Sequence, residues 1–136
     1  MYGRPISVDE QRPPVGAADG QENWMPVVGL SQLMSQTVVC ARVTHVDLIV
    51  IWNEGRILSS ERWCPHEQAD LGCGHVSEGR LFCPRHAASF DLQDGRISEG
   101  WPSRPLQIYP VRIADGQVWI DAAAIKPLTI EVAVKV

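Results

Sequence analysis

The chain has 136 residues, which is enough for one domain and too short for a large multidomain enzyme. Hydrophobic residues make up 45% and charged residues 21%, so the chain can build one apolar core and is not disordered as a whole. Lys and Arg number 12 against 16 Asp and Glu, giving a net charge of -4. Because no basic run could neutralise a row of phosphates, nucleic acid is not expected as a partner.

The cysteine content and the N-terminus together predict a reducing compartment. Four Cys among 136 residues are too few for a disulfide scaffold. The N-terminus lacks the apolar stretch of a secretory signal, and the longest apolar run, 48–52, is far shorter than a membrane span. We therefore expect a cytoplasmic protein without a membrane partner, whose Cys and His are metal ligands or catalytic groups rather than disulfide partners.

In chain order, the first predicted element is a flexible N-terminal arm at residues 1–22. This segment contains several Pro and Gly, with almost no apolar periodicity, and we expect it to be ordered only by a partner. From residue 23 the pattern changes to short apolar runs between turn signals. Such spacing is typical of an all-β domain in which helix is scarce.

Several strands can be placed by their side-chain pattern. The β-branched segment 37–43 predicts one strand, and the nearly continuous apolar segment 47–52 predicts a strand covered on both faces. Turn signals that end in Gly separate further strand pairs, at Glu54-Gly55, Glu78-Gly79, Asp94-Gly95 and Asp115-Gly116.

The C-terminal segment 128–136 alternates strictly between apolar and other residues, which predicts a strand with one buried side. Addition of this strand to the domain's own sheet is favoured over addition to a second subunit or a partner. The oligomeric state is left open by this choice.

Two pairs of Cys and His carry the strongest chemical signal. Cys64-Pro65-His66 and Cys83-Pro84-Arg85-His86 are separated by residues 67–82, and each pair falls in a loop between predicted strands. A loop that presents one thiolate and one imidazole can hold a metal from one side, and two facing loops can enclose a cluster. The mixed set suits a 2Fe-2S centre in which two thiolates hold one iron and two imidazoles hold the other.

At these loops and around them the sequence resembles the Rieske iron-sulfur family. The resemblance runs from about Trp24 to Asp121 and includes Ala69-Asp70-Leu71, Gly79 before Leu81-Phe82-Cys83, Phe90-Asp91-Leu92 and the Pro-rich loop 100–105, which covers the cluster in the family. It implies an all-β Rieske domain at 23–121, an antiparallel β-sandwich with a cluster-binding subdomain at about 62–105. A C-terminal extension, 122–136, would follow. The implied ligands of one 2Fe-2S cluster are Cys64, His66, Cys83 and His86.

The resemblance also predicts a low reduction potential. In the high-potential branch of the family each loop carries a second Cys, and the two form a disulfide; Ala69 and Arg85 stand at those positions here. That branch also has hydroxyl donors where this chain has Ala88 and Phe90. Because fewer hydrogen bonds stabilise the reduced, more negative state, we expect a potential at the low end of the family range, similar to the ferredoxins of ring-hydroxylating dioxygenases.

The function implied by the resemblance is electron transfer without catalysis. Such a carrier takes single electrons from a flavin-containing reductase and passes them, in transient complexes, to a terminal oxygenase. Two alternatives stay open: a small Rieske-like subunit or regulatory module of a larger redox enzyme such as nitrite reductase, and a zinc-bound structural or interaction module. An oxygenase subunit is disfavoured because its mononuclear iron needs two further His and a carboxylate in a catalytic domain. Only His45 and His75 remain here, and we expect no second domain.

The other Cys and His residues have simpler interpretations. Cys40 lies in a β-branched strand and is predicted to be a buried small hydrophobe, whereas His45 lies in a turn and is predicted to be solvated. Cys73-Gly74-His75 is a further Cys-x-His. A surface loop is favoured there over an oxidisable stray thiol or an alternative ligand pair.

Two Trp and four Arg lie close to the predicted ligands. Trp63 and Trp101 are predicted to shield the cluster, with an exposed apolar patch for a redox partner as the alternative. The Arg residues form either a basic rim that steers an acidic partner or an ordinary solvated surface; they are Arg62, Arg80, Arg85 and Arg104.

Overall fold

The computed structural model describes residues 3–9, 24–66, 68–85, 88–101 and 103–125. Antiparallel strands dominate this part of the chain, as the short apolar runs predict. Its strands are β1 (Ile6–Ser7), β2 (Trp24–Gly29), β3 (Val38–Val43), β4 (Val46–Asn53), β5 (Arg56–Glu61), β6 (His75–Ser77), β7 (Arg80–Phe82), β8 (Ser89–Asp91), β9 (Ile108–Tyr109), β10 (Val111–Ala114) and β11 (Gln117–Asp121). One α-helix, α1 (Leu30–Gln36), and two 3-10 turns (Leu71–Cys73 and Ala122–Ala124) complete the described elements.

The strands form three antiparallel sheets. In the largest sheet the order is β1-β5-β4-β3, and β9 pairs with β5 beside β1. A second sheet has the order β10-β11-β2, and a third, small sheet has the order β6-β7-β8. The chain passes from the first sheet to the second at Pro110, between β9 and β10, where a residue without an N–H suits a break in the ladder.

Strand β4 is apolar on both faces because it separates two buried clusters. Leu48 and Val50 belong to one cluster together with β10 and β11 side chains, whereas Ile49 and Ile51 belong to the other cluster. All four are fully buried, which confirms the prediction of a strand covered on both faces. The second cluster contains Cys64 and Cys83, so the central sheet forms the floor beneath the predicted ligand loops.

The turn glycines allow the tight connections that the sequence predicts. Gly55 connects β4 to β5 with a φ of 84°, and Gly79 connects β6 to β7 with a φ of 76°. These values lie in the left-handed region that glycine tolerates without strain. Both hairpins therefore form at the predicted positions.

The first part of the predicted arm packs on the domain. Ile6 is buried and pairs with Ile57 of β5, and the amide of Gly3 donates to the carbonyl of Ile108 over 2.8 Å. The two-residue strand was not foreseen because the segment is polar and too short for periodicity. Residues 10–22 of the arm and the predicted strand 128–136 lie outside the described residues.

Helix α1 was likewise not foreseen, because its seven residues present only Leu33 to the core. The prediction for Cys40 is wrong: this thiol on β3 is exposed. Among the helices of the described residues, none is long and apolar enough to cross a membrane.

Candidate metal centre

The two Cys-containing loops are closed by the same backbone hydrogen bond. The amide of Cys64 donates to the carbonyl of Ala69 over 2.8 Å, and the amide of Cys83 donates to the carbonyl of Ala88 over 3.0 Å. Each loop therefore spans six residues between antiparallel partners. The flanking pairs are Trp63 with Asp70 in the first loop and Phe82 with Ser89 in the second.

Both predicted thiol ligands are buried at the start of their loops. Cys64 is 0% exposed and Cys83 is 4% exposed, and both are free thiols in the same apolar cluster. Two free thiols in one buried apolar cluster are the donors that an iron-sulfur centre requires, and water has little access to them. This donor chemistry fits a cluster of mixed ligation.

His66, the predicted imidazole ligand of the first loop, has one of its two ring nitrogens buried. Nδ1 of His66 is buried, and the ring lies edge-on against Trp101, with ring centroids 4.9 Å apart. Trp101 thus lies against a predicted ligand, which is the position that the shielding interpretation requires. The other predicted imidazole, His86, lies outside the described residues.

An ion pair fixes the base of the first loop. Arg62 donates from Nε and Nη2 to the two carboxylate oxygens of Asp70, over 2.8 and 2.9 Å, and Asp70 also accepts from the amide of Gly72 over 2.8 Å. A Cβ on Gly72 would lie 2.5 Å from the Cys40 sulfur and 2.9 Å from Oδ1 of Asp70, so a larger residue there would force these side chains to move. Hydrogen bonds from Arg62, and then from Gly72, hold the pKa of Asp70 below its ordinary value.

The second loop is held by Arg80 of β7. Its Nε donates to the hydroxyl of Ser89 over 2.7 Å, and its Nη2 donates to the carbonyl of Ser89 over 3.2 Å. Ala88 and Phe90, on either side of Ser89, are fully buried and offer no hydroxyl to a bound group. The hydroxyl that the strand does carry accepts a bond from Arg80.

Residues around the loops differ in how well the sequence placed them. Cys73 and His75 are exposed, as the surface interpretation predicts; the Cys73 thiol lies 3.7 Å from an oxygen of Asp70, and the His75 ring stacks on Phe82. Trp63 is 39% exposed, so it is a surface residue rather than a shield.

The Arg residues near the loops do not form a simple basic rim. Arg62 forms an ion pair with Asp70, and Arg104 forms one with Glu61. Nη1 of Arg80 lies 3.8 Å from Oδ2 of Asp91. Arg85 is exposed. His45 is exposed too, which confirms its predicted solvation.

Glu61 is a site residue that the sequence did not reveal. It ends β5, three residues before Cys64, and its side chain is only 8% exposed. Both of its carboxylate oxygens accept from Arg104. No spacing rule links residues 43 positions apart, so the pair becomes visible only in the folded chain.

The comparisons with known proteins agree with this architecture. The family model "Rieske [2Fe-2S] domain" matches residues 23–110. The ferredoxin component of the naphthalene 1,2-dioxygenase system of Pseudomonas putida is 28% identical over 98 residues, which cover 72% of this chain and 94% of that protein. A solved ferredoxin from Sphingomonas yanoikuyae superposes with a TM-score of 0.67 at 26% identity, covering 77% of this chain and all of that one.

A third relative is a larger protein. The oxygenase subunit of a 5,5'-dehydrodivanillate O-demethylase from Sphingobium is 27% identical over 108 residues, covering 71% of this chain and only 26% of that protein. The shared region therefore corresponds to one part of the oxygenase subunit and to nearly the whole of the ferredoxin component.

The ion pair at the first loop leads to a prediction about pH. The pKa of Asp70 is lowered in the folded chain, so its ion pair stabilises the fold above the unfolded pKa of about 4, and this contribution is lost as the pH falls through the folded value. We expect Asp70→Asn to lower the free energy of unfolding by about 1–2 kcal/mol at pH 7, since the pair is one-quarter exposed and partly screened.

The measurement is urea unfolding at pH 7 and at several values below pH 5. The difference between the wild type and Asp70→Asn should shrink as the pH falls. Asp115→Asn, at an exposed turn, is the control and should have little effect at any pH. A cost of Asp70→Asn that stays constant with pH would contradict a charged pair at this position.

Proposed function

This chain belongs to the Rieske 2Fe-2S domain family, and from that premise we propose that it is an electron carrier, the ferredoxin component of a ring-hydroxylating oxygenase system. The family's cofactor is one Rieske-type 2Fe-2S cluster, which accepts and releases one electron at a time when bound. The observation that carries the proposal is the pair of equivalent six-residue loops, each of which starts at a buried free thiol.

We assign the ligands residue by residue. Cys64 and Cys83 would hold one iron, and His66 and His86 the other. The burial of both thiols and of the His66 Nδ1 supports this assignment for the first three residues, whereas His86 is proposed from its place in the second motif. Membership of the family favours this cluster over the zinc-bound alternative.

The extent of the match favours a separate carrier over an oxygenase subunit. The chain spans nearly the whole of a ferredoxin component but about a quarter of an oxygenase subunit. A free carrier has to meet two partners in turn, and we propose a flavin-containing reductase as the donor and a terminal oxygenase as the acceptor, all in the cytoplasm. Small, transient contacts suit such exchange.

The surface next to the cluster site supports transient contact of this kind. Trp63 directly precedes Cys64 and is 39% exposed, and the guanidinium of Arg62 lies 4.9 Å from the centre of its ring. An exposed indole beside the site provides an apolar contact of limited area.

The ligand assignment predicts a clear spectroscopic result. The purified protein should absorb visible light and give an electron paramagnetic resonance signal after reduction by dithionite. Cys64→Ser and Cys83→Ser should lose both properties, while Cys73→Ser should retain them because Cys73 is an exposed residue outside the buried cluster. A colourless protein with one zinc per chain would refute the assignment.

The carrier role predicts electron delivery to an oxygenase. With NADH, a flavin-containing reductase and a terminal oxygenase from the same cell, product should form only when this protein is added. Cys64→Ser should abolish the stimulation. If a loaded, reducible protein supports none of the oxygenases of its cell, a subunit or regulatory role becomes the better explanation.

The buried positions after the second loop predict how the potential responds to added hydroxyls. One hydrogen bond to a cluster or thiolate sulfur is worth about 1 kcal/mol, or on the order of 40 mV for one electron. We expect Ala88→Ser and Phe90→Tyr each to raise the midpoint potential by about that amount, because they stabilise the reduced state. Redox titration measures it.

The control for these variants is Ser77→Ala. Ser77 is an exposed residue of β6 outside both ligand loops, so loss of its hydroxyl should leave the potential nearly unchanged. An unchanged potential in both hydroxyl-adding variants would mean that the missing donors do not account for a low value.

A further inference from the structure

The pair of Glu61 and Arg104 ties residues 100–107, here called the cover loop, to the central sheet. Arg104 donates from Nη1 to Oε2 of Glu61 over 2.7 Å and from Nη2 to Oε1 over 2.8 Å. The carboxylate is nearly buried, at 8% exposure, while the guanidinium is 47% exposed. A two-pronged bond of this kind fixes both position and orientation.

The same carboxylate holds a second point of the loop. The amide of Gln107 donates to Oε2 of Glu61 over 2.7 Å, and the amide of Glu61 donates to the carbonyl of Gln107 over 3.1 Å. Residues 104 and 107 are therefore both anchored to the end of β5. Trp101, three residues before Arg104, is the part of this loop that contacts His66.

The pair also places opposite charges near the first thiol. Glu61 lies three residues before Cys64, and Arg104 is bonded to its carboxylate, so both charges lie near this thiol. The hydrogen bonds that Arg104 donates to Glu61 raise the pKa of the guanidinium. Tyr109 is buried beside the pair, and burial raises its pKa to about 12, which keeps it neutral. Arg104 and Glu61, rather than Tyr109, therefore supply the charges of this group near Cys64.

We propose that Glu61 and Arg104 are positioning residues that hold the cover loop over His66 and, through their opposite charges, set the ease of reduction of the site. The inference rests on the proposed function and deepens it. A positive charge favours the state with one more electron and a negative charge opposes it, so the two residues should act in opposite directions.

The test compares two single variants and one conservative variant in the cluster-loaded protein. At a fixed ambient potential we expect Glu61→Gln to raise the ratio of reduced to oxidised protein by about threefold and Arg104→Gln to lower it by about threefold. Arg104→Lys keeps the charge but loses the two-pronged bond, so its ratio should stay near that of the wild type.

A second readout follows the loop itself. Hydrogen exchange of the Gln107 amide should become faster in Arg104→Lys and Arg104→Gln, because the loop loses one of its two anchors. If Arg104→Gln does not retain its cluster, two results still decide the matter. One is a higher ratio of reduced to oxidised protein in Glu61→Gln, and the other is an unchanged ratio together with faster exchange of the Gln107 amide in Arg104→Lys.

The matched control is Arg56→Gln. Arg56 starts β5, the strand that Glu61 ends, and is exposed about 16 Å away along the strand, beyond the screening length of physiological salt. Arg56→Gln removes the same charge as Arg104→Gln. It should change neither the ratio of reduced to oxidised protein nor the exchange of the Gln107 amide.

Two results would overturn the inference. Shifts of the same sign in Glu61→Gln and Arg104→Gln would indicate loosening alone, and unchanged Gln107 exchange in both Arg104 variants would show that the pair does not hold the loop. A wild-type protein without a reducible cluster would refute the proposed function, whereas a normal wild type with unresponsive variants would refute only this inference.

Discussion

The structure depends on a central pair of strands that must be apolar on both faces. In β4, Leu48 and Val50 face one core while Ile49 and Ile51 face the other, and β5 divides Ile57 and Leu58 in the same way. Any shift of register by one residue would exchange the two faces. Because both faces carry large aliphatic side chains, burial alone does not fix that register; the hairpin turn at Gly55 does. The loops with Cys64 and Cys83 are positioned relative to this floor.

The two ligand loops are closed by the same backbone hydrogen bond but carry their His at different positions. Both begin with a Cys whose amide bonds to the carbonyl five residues later. His occupies the third position in the first loop, whereas in the second loop Arg85 stands third and His86 fourth. Loops with the same closing bond thus place two thiols in one buried cluster. The chemical asymmetry of the proposed centre comes from the two kinds of side chain, thiol and imidazole, that each loop carries.

The sequence predicted features that depend on local pattern. The strands at 37–43 and 47–52, the Gly turns and the two Cys-His loops all follow from spacing within a few residues, and the structure places the described parts accordingly. The sequence did not predict features that depend on partners far away in the chain. Strand β1 forms because Ile6 pairs with Ile57 of β5, and the burial of Glu61 is offset by its ion pair with Arg104. Cys40 was misplaced because a β-branched strand does not reveal which of its faces is covered, and this one is at the sheet edge.

Ion pairs balance the charge of three of the four arginines around the proposed cluster site. Arg62, Arg80 and Arg104 each lie beside a carboxylate of a neighbouring segment, so their charges are largely balanced where they stand. Paired guanidinium groups give weak long-range steering, because the field of a close pair falls off faster than that of a single charge. Recognition of a partner then depends more on short-range contact, for which the exposed Trp63 ring beside Cys64 is suited. A small apolar contact with little steering releases quickly, which suits the proposed carrier because it would alternate between two partners.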